Sequence, residues 1–372
     1  MSDAARRVWL EINLDTLANN FKKIQTKVDP CEVISVLKAN AYGLGVRKMA
    51  KTLADAGTKA FGVAELNEAL DLVDLGKPVQ ILGCVLASEI PQAVTAGIIL
   101  PISDLETAQL INNEAELQGK MAECHFLVDT GMGRLGLQLD DAYDIIVQVT
   151  QKKHLKCTGI YSHFPVAYSE GSEYTKNQVQ VFSELLKNLQ KIDVNFDTVH
   201  IANSDAINNF PFTYEPPFNC VRTGINLHGS FDPEGKRGLD IKSVLTLKTK
   251  LVSVRTLAKG ASIGYGLTCV LDQDTLVGTI AAGYADGLPL ALSNKGHVVI
   301  DGKPCPVLGR VSMDYTTVSL EQVPYAKPGD DVTCLGGEGE HSVSVEDWAE
   351  IKGTHAYEII CSFGSRVERR YV

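Results

Sequence analysis

Val33-Ile34-Ser35-Val36-Leu37-Lys38-Ala39-Asn40-Ala41-Tyr42-Gly43-Leu44-Gly45 is an apolar, β-branched run that ends on a lysine and then breaks into small residues and glycines. A short apolar run bounded by turn signals reads as a buried strand. A lysine directly after it stands at the strand's carboxyl end, where parallel α/β enzymes keep their chemistry. On spacing alone, a lysine in this place is more often a solvated strand end. The rest of the chain has to decide between the two.

Working outward, the same pattern recurs. Strand-like 31–38 is followed by a helix over 46–56, and 61–64 by a helix over 65–75. Strand-like 79–83 precedes a helix at 90–96, and 98–102 one at 105–117. Then come 124–128 with a helix over 141–151, and 158–162 with a long helix over 176–192. Strand 198–202 with a short helix after Ser204, and strand 220–222, complete eight units. Alternating strands and helices imply parallel pairing through right-handed crossovers, and eight units in about 210 residues suit a closed (β/α)8 barrel of the TIM type. An open dinucleotide-binding sheet would want G-x-G-x-x-G after the first strand, and the chain has none there.

Upstream, 8–12 reads as a strand. Leu14, Leu17, Phe21, Ile24 and Val28 follow Asn13 at helical spacing. Downstream of Asp240 the pattern changes to short alternating segments at 243–254, 275–280, 297–300 and 332–335, with few helical windows. The expected architecture is a barrel over 12–239 and a mostly β domain over 240–372, with 1–11 joining the latter.

The chain has 372 residues, of which 45% are hydrophobic and 22% charged, which excludes a disordered protein and fits two domains. A net charge of -10 with no clustered basic face argues against nucleic acid as a partner. Nine dispersed cysteines without a C-x-x-C pair suit reduced thiols, and no metal-ligand cluster is evident. No apolar run is long enough for a membrane span, and Met1-Ser2-Asp3-Ala4-Ala5-Arg6-Arg7 does not open a secretory apolar region. A cytoplasmic protein is expected.

The segment Val36-Leu37-Lys38-Ala39-Asn40-Ala41-Tyr42-Gly43-Leu44-Gly45 resembles the pyridoxal-phosphate lysine segment of alanine racemases, and the resemblance runs from Trp9 to Tyr371. It implies a fold III pyridoxal 5'-phosphate enzyme, a barrel plus β domain, that interconverts L- and D-alanine for D-alanine supply to peptidoglycan. Lys38 would form the Schiff base with the cofactor. Asn203, Ser204, Gly224, Ile225 and Tyr357 match the phosphate contacts, Tyr42 a second tyrosine near the cofactor, and Arg222 the arginine facing the pyridine nitrogen. His163 matches the histidine that links this arginine to a catalytic tyrosine, here Tyr265 in Ser262-Ile263-Gly264-Tyr265-Gly266. Racemisation needs proton-transfer groups on both faces of a planar centre, so Lys38 and Tyr265 form the implied pair. In the family this tyrosine comes from the other subunit, which implies a homodimer with shared sites. Tyr284 would line the entrance, while Arg134 and the Met313 amide would hold the carboxylate of a small amino-acid substrate.

The residues also carry plainer readings. Ser204 could serve only as a helix cap, Arg222 could be a buried arginine paired with an acid, and His163 or a lone tyrosine could be ordinary core. The pattern is broken at Leu127, two before Asp129, where the family often carries a carbamylated lysine; a chloride, a neighbouring carboxylate or water is expected beside Arg134 instead. Leu44 and His228 also depart from common family choices and bear on side-chain selectivity. A racemase for serine or another small amino acid is the nearest alternative. A fold III decarboxylase lacks support, since neither its glycine-triplet phosphate loop nor its C-E-S-x-D-type segment occurs. A non-catalytic pyridoxal-phosphate-binding protein is the alternative of a different class, and the presence of Tyr265 tells against it.

Overall fold

The computed structural model describes residues 6–372. Residues 1–5, which include most of the stretch read as lacking a secretory region and part of the 1–11 segment, lie outside the described residues. The chain divides into two compact units. One takes 18–227 and 234–241; the other takes the described residues through Leu17, with 228–233 and 242–372.

In chain order, β1 (Val8–Ile12) and α1 (Leu14–Val28) precede β2 (Glu32–Val36), α2 (Lys38–Tyr42) and α3 (Val46–Ala56). Next come β3 (Ala60–Val63), α4 (Leu66–Leu70), β4 (Val79–Ile81), α5 (Ile90–Ala96), β5 (Leu100–Ile102) and α6 (Leu105–Leu117). Then follow β6 (Ala122–Asp129), a short β7 (Leu137–Gln138), α7 (Leu139–Thr150), β8 (Leu155–Tyr161), α8 (Glu173–Gln190), β9 (Thr198–His200), α9 (Ser204–Asn209) and β10 (Cys220–Thr223).

Eight of these strands are parallel neighbours in the order β4-β3-β2-β10-β9-β8-β6-β5, with β7 beside β6. The ring closes where Ile81 N–H donates to the Ile99 carbonyl (3.1 Å) and Ile99 N–H to that of Val79 (2.9 Å). The barrel expected from the alternation is therefore present. Its strands are buried almost throughout, as in a sheet whose outer face is wrapped by helices. Helix α3 shows the complementary stripe: Val46, Met49, Ala50 and Leu53 recur at three-four spacing and are the residues it buries.

Two helices differ from the sequence reading. The expected helix over 65–75 is α4 followed by a separate 3-10 turn at Val73–Leu75. Helix α8 starts before 176, because Ser172 accepts a hydrogen bond from Thr175 N–H and caps it there.

The second unit is an antiparallel sheet built on β11 (Leu245–Leu257). With it go β14 (Thr275–Ile280), β15 (His297–Ile300), β16 (Lys303–Leu308), β17 (Thr316–Ser319), β18 (Asp331–Leu335) and β19 (Glu368–Tyr371), while β12 (Ser262–Ile263) and β13 (Cys269–Val270) form a separate two-stranded sheet. The order β14-β17-β16-β15-β18-β11-β1-β19 is closed on itself by pairing of β14 with β11. Strand β11 alternates buried and half-buried residues along its first half, the period of a sheet with one covered face. The strand β1 pairs antiparallel with β11 and parallel with β19. Two helices missed in the sequence, α10 (Val345–Lys352) and α11 (Ala356–Cys361), sit between β18 and β19.

Candidate active site

The segment after β2 sets the site's geometry. Strand β2 runs between β3 and β10, and Leu37 N–H makes a last bond to the Gly62 carbonyl at 2.8 Å. The chain then makes a turn of the wrong hand. Ala39, Asn40, Ala41 and Tyr42 hold φ of 53–57°, a left-handed helical turn without a glycine. Each non-glycine residue in that conformation costs about 1–2 kcal/mol. Such strain persists only where surrounding contacts impose it, and it concentrates at functional sites. The exposed Lys38 begins this turn, and Tyr42 at its end is buried.

The next strands contribute from the same barrel end. Arg222, in β10, is 5% exposed, and burial lowers its pKa to about 10, so it stays charged at neutral pH. It has no carboxylate partner among the described residues. Its guanidinium donates to the Ser162 carbonyl (2.7 Å), the Ile201 carbonyl (3.1 Å), His163 Nδ1 (3.2 Å) and His200 Nδ1 (2.5 Å). A guanidinium only donates, so both Nδ1 atoms accept and the remaining proton of each imidazole sits on Nε2.

Both histidines are held neutral. Burial, reinforced by Arg222, lowers the His163 pKa to about 3 and that of His200 well below the usual range. Tyr161 stacks on the His200 ring at 4.9 Å and 10°. The acid-paired reading of Arg222 is thus replaced by a charge held by neutral acceptors, an arrangement that leaves the charge unneutralised. His200 was not identified from sequence; a strand-end histidine looks like core until its partner is known.

Between β9 and α9, Asn203 rather than Ser204 is the helix cap, accepting from Ala206 N–H at 2.9 Å. The Ser204 hydroxyl instead accepts from Gly224 N–H (3.1 Å) and lies 3.3 Å from Thr223 Oγ1. Gly224 is required by packing: a Cβ there would fall 2.1 Å from the Tyr42 hydroxyl. Ile225 follows it, fully buried. The barrel mouth therefore gathers Lys38, Tyr42, His163, Asn203, Ser204, Arg222, Gly224 and Ile225 on the ends of neighbouring strands.

These residues fit pyridoxal 5'-phosphate. The Ser204 hydroxyl and the backbone of Gly224, which Tyr42 packs against too closely for a side chain, stand at the barrel position favoured for phosphate. A buried guanidinium without a counter-ion lies beside it.

Arg134 follows β6 through a loop organised by Asp129, whose carboxylate accepts the amides of Gly131 (2.9 Å), Met132 (2.8 Å) and Gly133 (3.0 Å). Arg134 is exposed and makes no ion pair among the described residues, so no neighbouring carboxylate takes the place expected beside it. Leu127 is buried under this loop, with its Cγ 3.1 Å from where a Cβ of Gly136 would stand. Leu44 and His228 are both fully buried.

The other candidates lie in the second unit. There the 262–267, 283–287 and 309–314 segments meet: Tyr284 N–H donates to the Ser312 carbonyl (3.0 Å) and Ala285 N–H to that of Met313 (3.1 Å). A Cβ on Gly264 would stand 3.2 Å from Arg310 N. This surface presents Tyr265 at 70% exposure, Met313 at 52% and Tyr284 at 47%, with Leu267 at 66%. Tyr357 lies half-buried in α11. Among the described residues no group of acidic, histidine or cysteine side chains could hold a metal, and no helix is long and apolar enough to cross a membrane.

Residues 12–232 match the family model for the alanine racemase N-terminal domain, and 244–371 that for the C-terminal domain. The chain is 35% identical over 377 residues to alanine racemase 2 of Caldanaerobacter subterraneus subsp. tengcongensis, covering 100% of this chain and 96% of that protein. Alanine racemase of Clostridium difficile 630 superposes with a TM-score of 0.92 at 30% identity, over 100% of this chain and 97% of that one. Alanine racemase from Bartonella henselae, solved with covalently bound pyridoxal phosphate, superposes with a TM-score of 0.87 at 28% identity, over 98% and 99%. With both domains matched and full-length relatives at this identity, the chain belongs to the alanine racemase family.

Proposed function

We propose that the protein is a pyridoxal 5'-phosphate-dependent alanine racemase that interconverts L- and D-alanine, supplying D-alanine for peptidoglycan in the cytoplasm. The observation that carries this reading is Lys38 on its strained turn, at the same barrel end as the Arg222–His163 pair. Pyridoxal phosphate, when bound, makes the substrate α-proton acidic by conjugation to its ring. Lys38 would hold the cofactor, the Ser204 hydroxyl with the Asn203–Ser204 and Gly224–Ile225 segments its phosphate, and Arg222 its ring nitrogen. Tyr42 and Tyr357 would add hydroxyls.

Because Arg222 can only donate, it would hold a ring nitrogen that stays unprotonated and so would restrain full charge delocalisation, favouring simple return of the proton. In the proposed homodimer the His163 Nε2–H would donate to the Tyr265 oxygen of the other copy, lowering the cost of the phenolate that a base on the second face requires. Lys38 Nζ moves the proton on one face and Tyr265 on the other. Arg134 and the Met313 amide would hold the substrate carboxylate, with Tyr284 at the entrance. The exposure of Tyr265, Tyr284 and Met313 supports a homodimer in which each copy completes the other's site.

The test is to incubate the purified protein with the cofactor and single L-amino acids and measure the D-enantiomer. D-Alanine forms fastest under this reading. Faster turnover of serine assigns the related racemase, and a bound cofactor without racemisation assigns a non-catalytic carrier.

A further inference from the structure

The left-handed turn after Lys38 needs something to hold it, since runs of non-glycine residues at positive φ do not form unaided. Its far end is closed locally. Gly43 N–H donates to the Ala39 carbonyl (2.7 Å) and Gly45 N–H to that of Asn40 (3.0 Å), while Asn40 Oδ1 accepts from Val46 N–H (2.8 Å) at the start of α3. Its near end has a local bond from Ala41 N–H to the Leu37 carbonyl (2.8 Å), but the Ala39 amide is held differently. The ladder between β2 and β3 stops with the bond from Leu37 to Gly62, and the two chains part. Beyond that point the Glu68 carboxylate spans them, with Oε1 accepting from Ala39 N–H at 2.5 Å and Oε2 from Ala64 N–H at 2.8 Å.

Glu68 lies in the first turn of α4, where an acid often reaches back to its own helix start. That role accounts for the bond to Ala64. It does not account for the bond to Ala39, which belongs to the turn after β2 and directly follows the lysine. A charged acceptor makes stronger bonds than a neutral one, and here both oxygens are committed to amides that the sheet has released.

We propose that Glu68 is a positioning residue for Lys38: its carboxylate anchors the Ala39 amide to the end of β3 and so fixes the left-handed turn that aims the amine. This rests on the reading of Lys38 as the catalytic amine. Glu68 touches neither cofactor nor substrate in this account and acts only through the backbone.

The experiment compares Glu68→Gln, Ala39→Gly and the double variant with the unaltered protein. Glutamine keeps the size but removes the charge and one acceptor. Ala39 is exposed, so glycine there loses no packing and relieves the cost of positive φ. In cofactor-free protein, Glu68→Gln should speed hydrogen exchange at the Ala39 amide by about tenfold or more with the fold intact by circular dichroism. In loaded protein, kcat per folded site should fall about 10- to 100-fold in both directions, with KM and cofactor affinity within about threefold. Adding Ala39→Gly should recover about fivefold of the loss.

Unchanged exchange and kcat in Glu68→Gln overturn the proposal. So does a loss that appears only as a lower Tm, or one that Ala39→Gly leaves unrelieved. The parent reading fails separately: if the unaltered protein shows no visible cofactor absorbance that depends on Lys38, Lys38 is not the cofactor amine, while the exchange measurement still reports on the clamp.

Discussion

The barrel mouth and the 262–267/283–287/309–314 surface of the β domain are opposite kinds of site. At the barrel mouth, Arg222 is enclosed, already hydrogen-bonded to four acceptors and flanked by neutral histidines. On the β-domain surface, Tyr265, Leu267, Tyr284 and Met313 are each about half or more exposed, although the backbone beneath them is paired. The first region pairs its guanidinium fully within the chain, leaving the buried His200 Nε2 as a polar atom without an acceptor. The second presents large apolar and aromatic groups that a monomer leaves to water, the signature of a surface that a second body covers. The difference teaches that pre-organisation and completeness are separate properties, and the proposed homodimer assigns the second to a neighbouring copy.

The largest effect that would break this comparison is at the enclosed side. Arg222→Leu removes the charge and strands two imidazole acceptors, and racemisation should fall about 10²- to 10³-fold, read as kcat/KM in both directions. A loss below tenfold would mean that the pre-paired guanidinium is structural. On the exposed side, Tyr265→Phe should be directional. Proton removal from one enantiomer should slow about 10²- to 10⁴-fold more than exchange of the α-proton from the other face, measured by deuterium wash-in from heavy water. Equal slowing of both faces would remove Tyr265 from its role.

Acid should act on the barrel mouth as well. His125 and His163 in the barrel are held at about 4 and about 3, mainly by burial. The unfolded chain therefore binds protons that the native barrel refuses below the ordinary histidine value of about 6.5. Stability is complete above that value and is lost as pH falls through it towards about 4, at about 1.4 kcal/mol per pH unit for His125 alone. Thermal unfolding followed from pH 7 to 5 should show a falling midpoint, to which the buried His228 of the β-domain unit, held at about 3, also contributes. A pH-independent midpoint would contradict this.

The smallest expected effect is none. With Leu127 in place of a lysine, no carbamate can form, so carbon-dioxide-free buffer should leave turnover unchanged. A chloride titration then asks whether an anion serves Arg134, and a chloride-independent rate removes that possibility.

Much of this was legible in the residues, because the barrel depends on hydrophobic period and strand-helix alternation, which the chain displays directly. The resemblance pointed to Lys38 and Arg222, which the structure places at the same barrel end. The hand of the turn was not legible: Ala39-Asn40-Ala41-Tyr42 contains no glycine, and residues of these types ordinarily form right-handed structure. Glu68 was equally hidden, since an acid in a first helical turn is commonplace and its bond to Ala39 exists only once β2 and β3 lie side by side. The neutral pairing of Arg222 needed His200 to be brought from a neighbouring strand. The helix at Val345–Lys352 did carry a signal, the reciprocal cap of Ser344 and Asp347. The β periodicity around it masked that signal.

The central claim, that the enclosed half-site of one copy is completed by the exposed half-site of another, has a direct test. Lys38→Ala and Tyr265→Phe variants, each inactive, are mixed, dissociated and reassembled in equal amounts. Random pairing of two kinds of copy makes half the dimers mixed, and each mixed dimer restores one site in two, so activity should return to about a quarter of the unaltered level. If the mixture stays as inactive as its parents, Tyr265 serves its own chain or neither, and the shared site is contradicted.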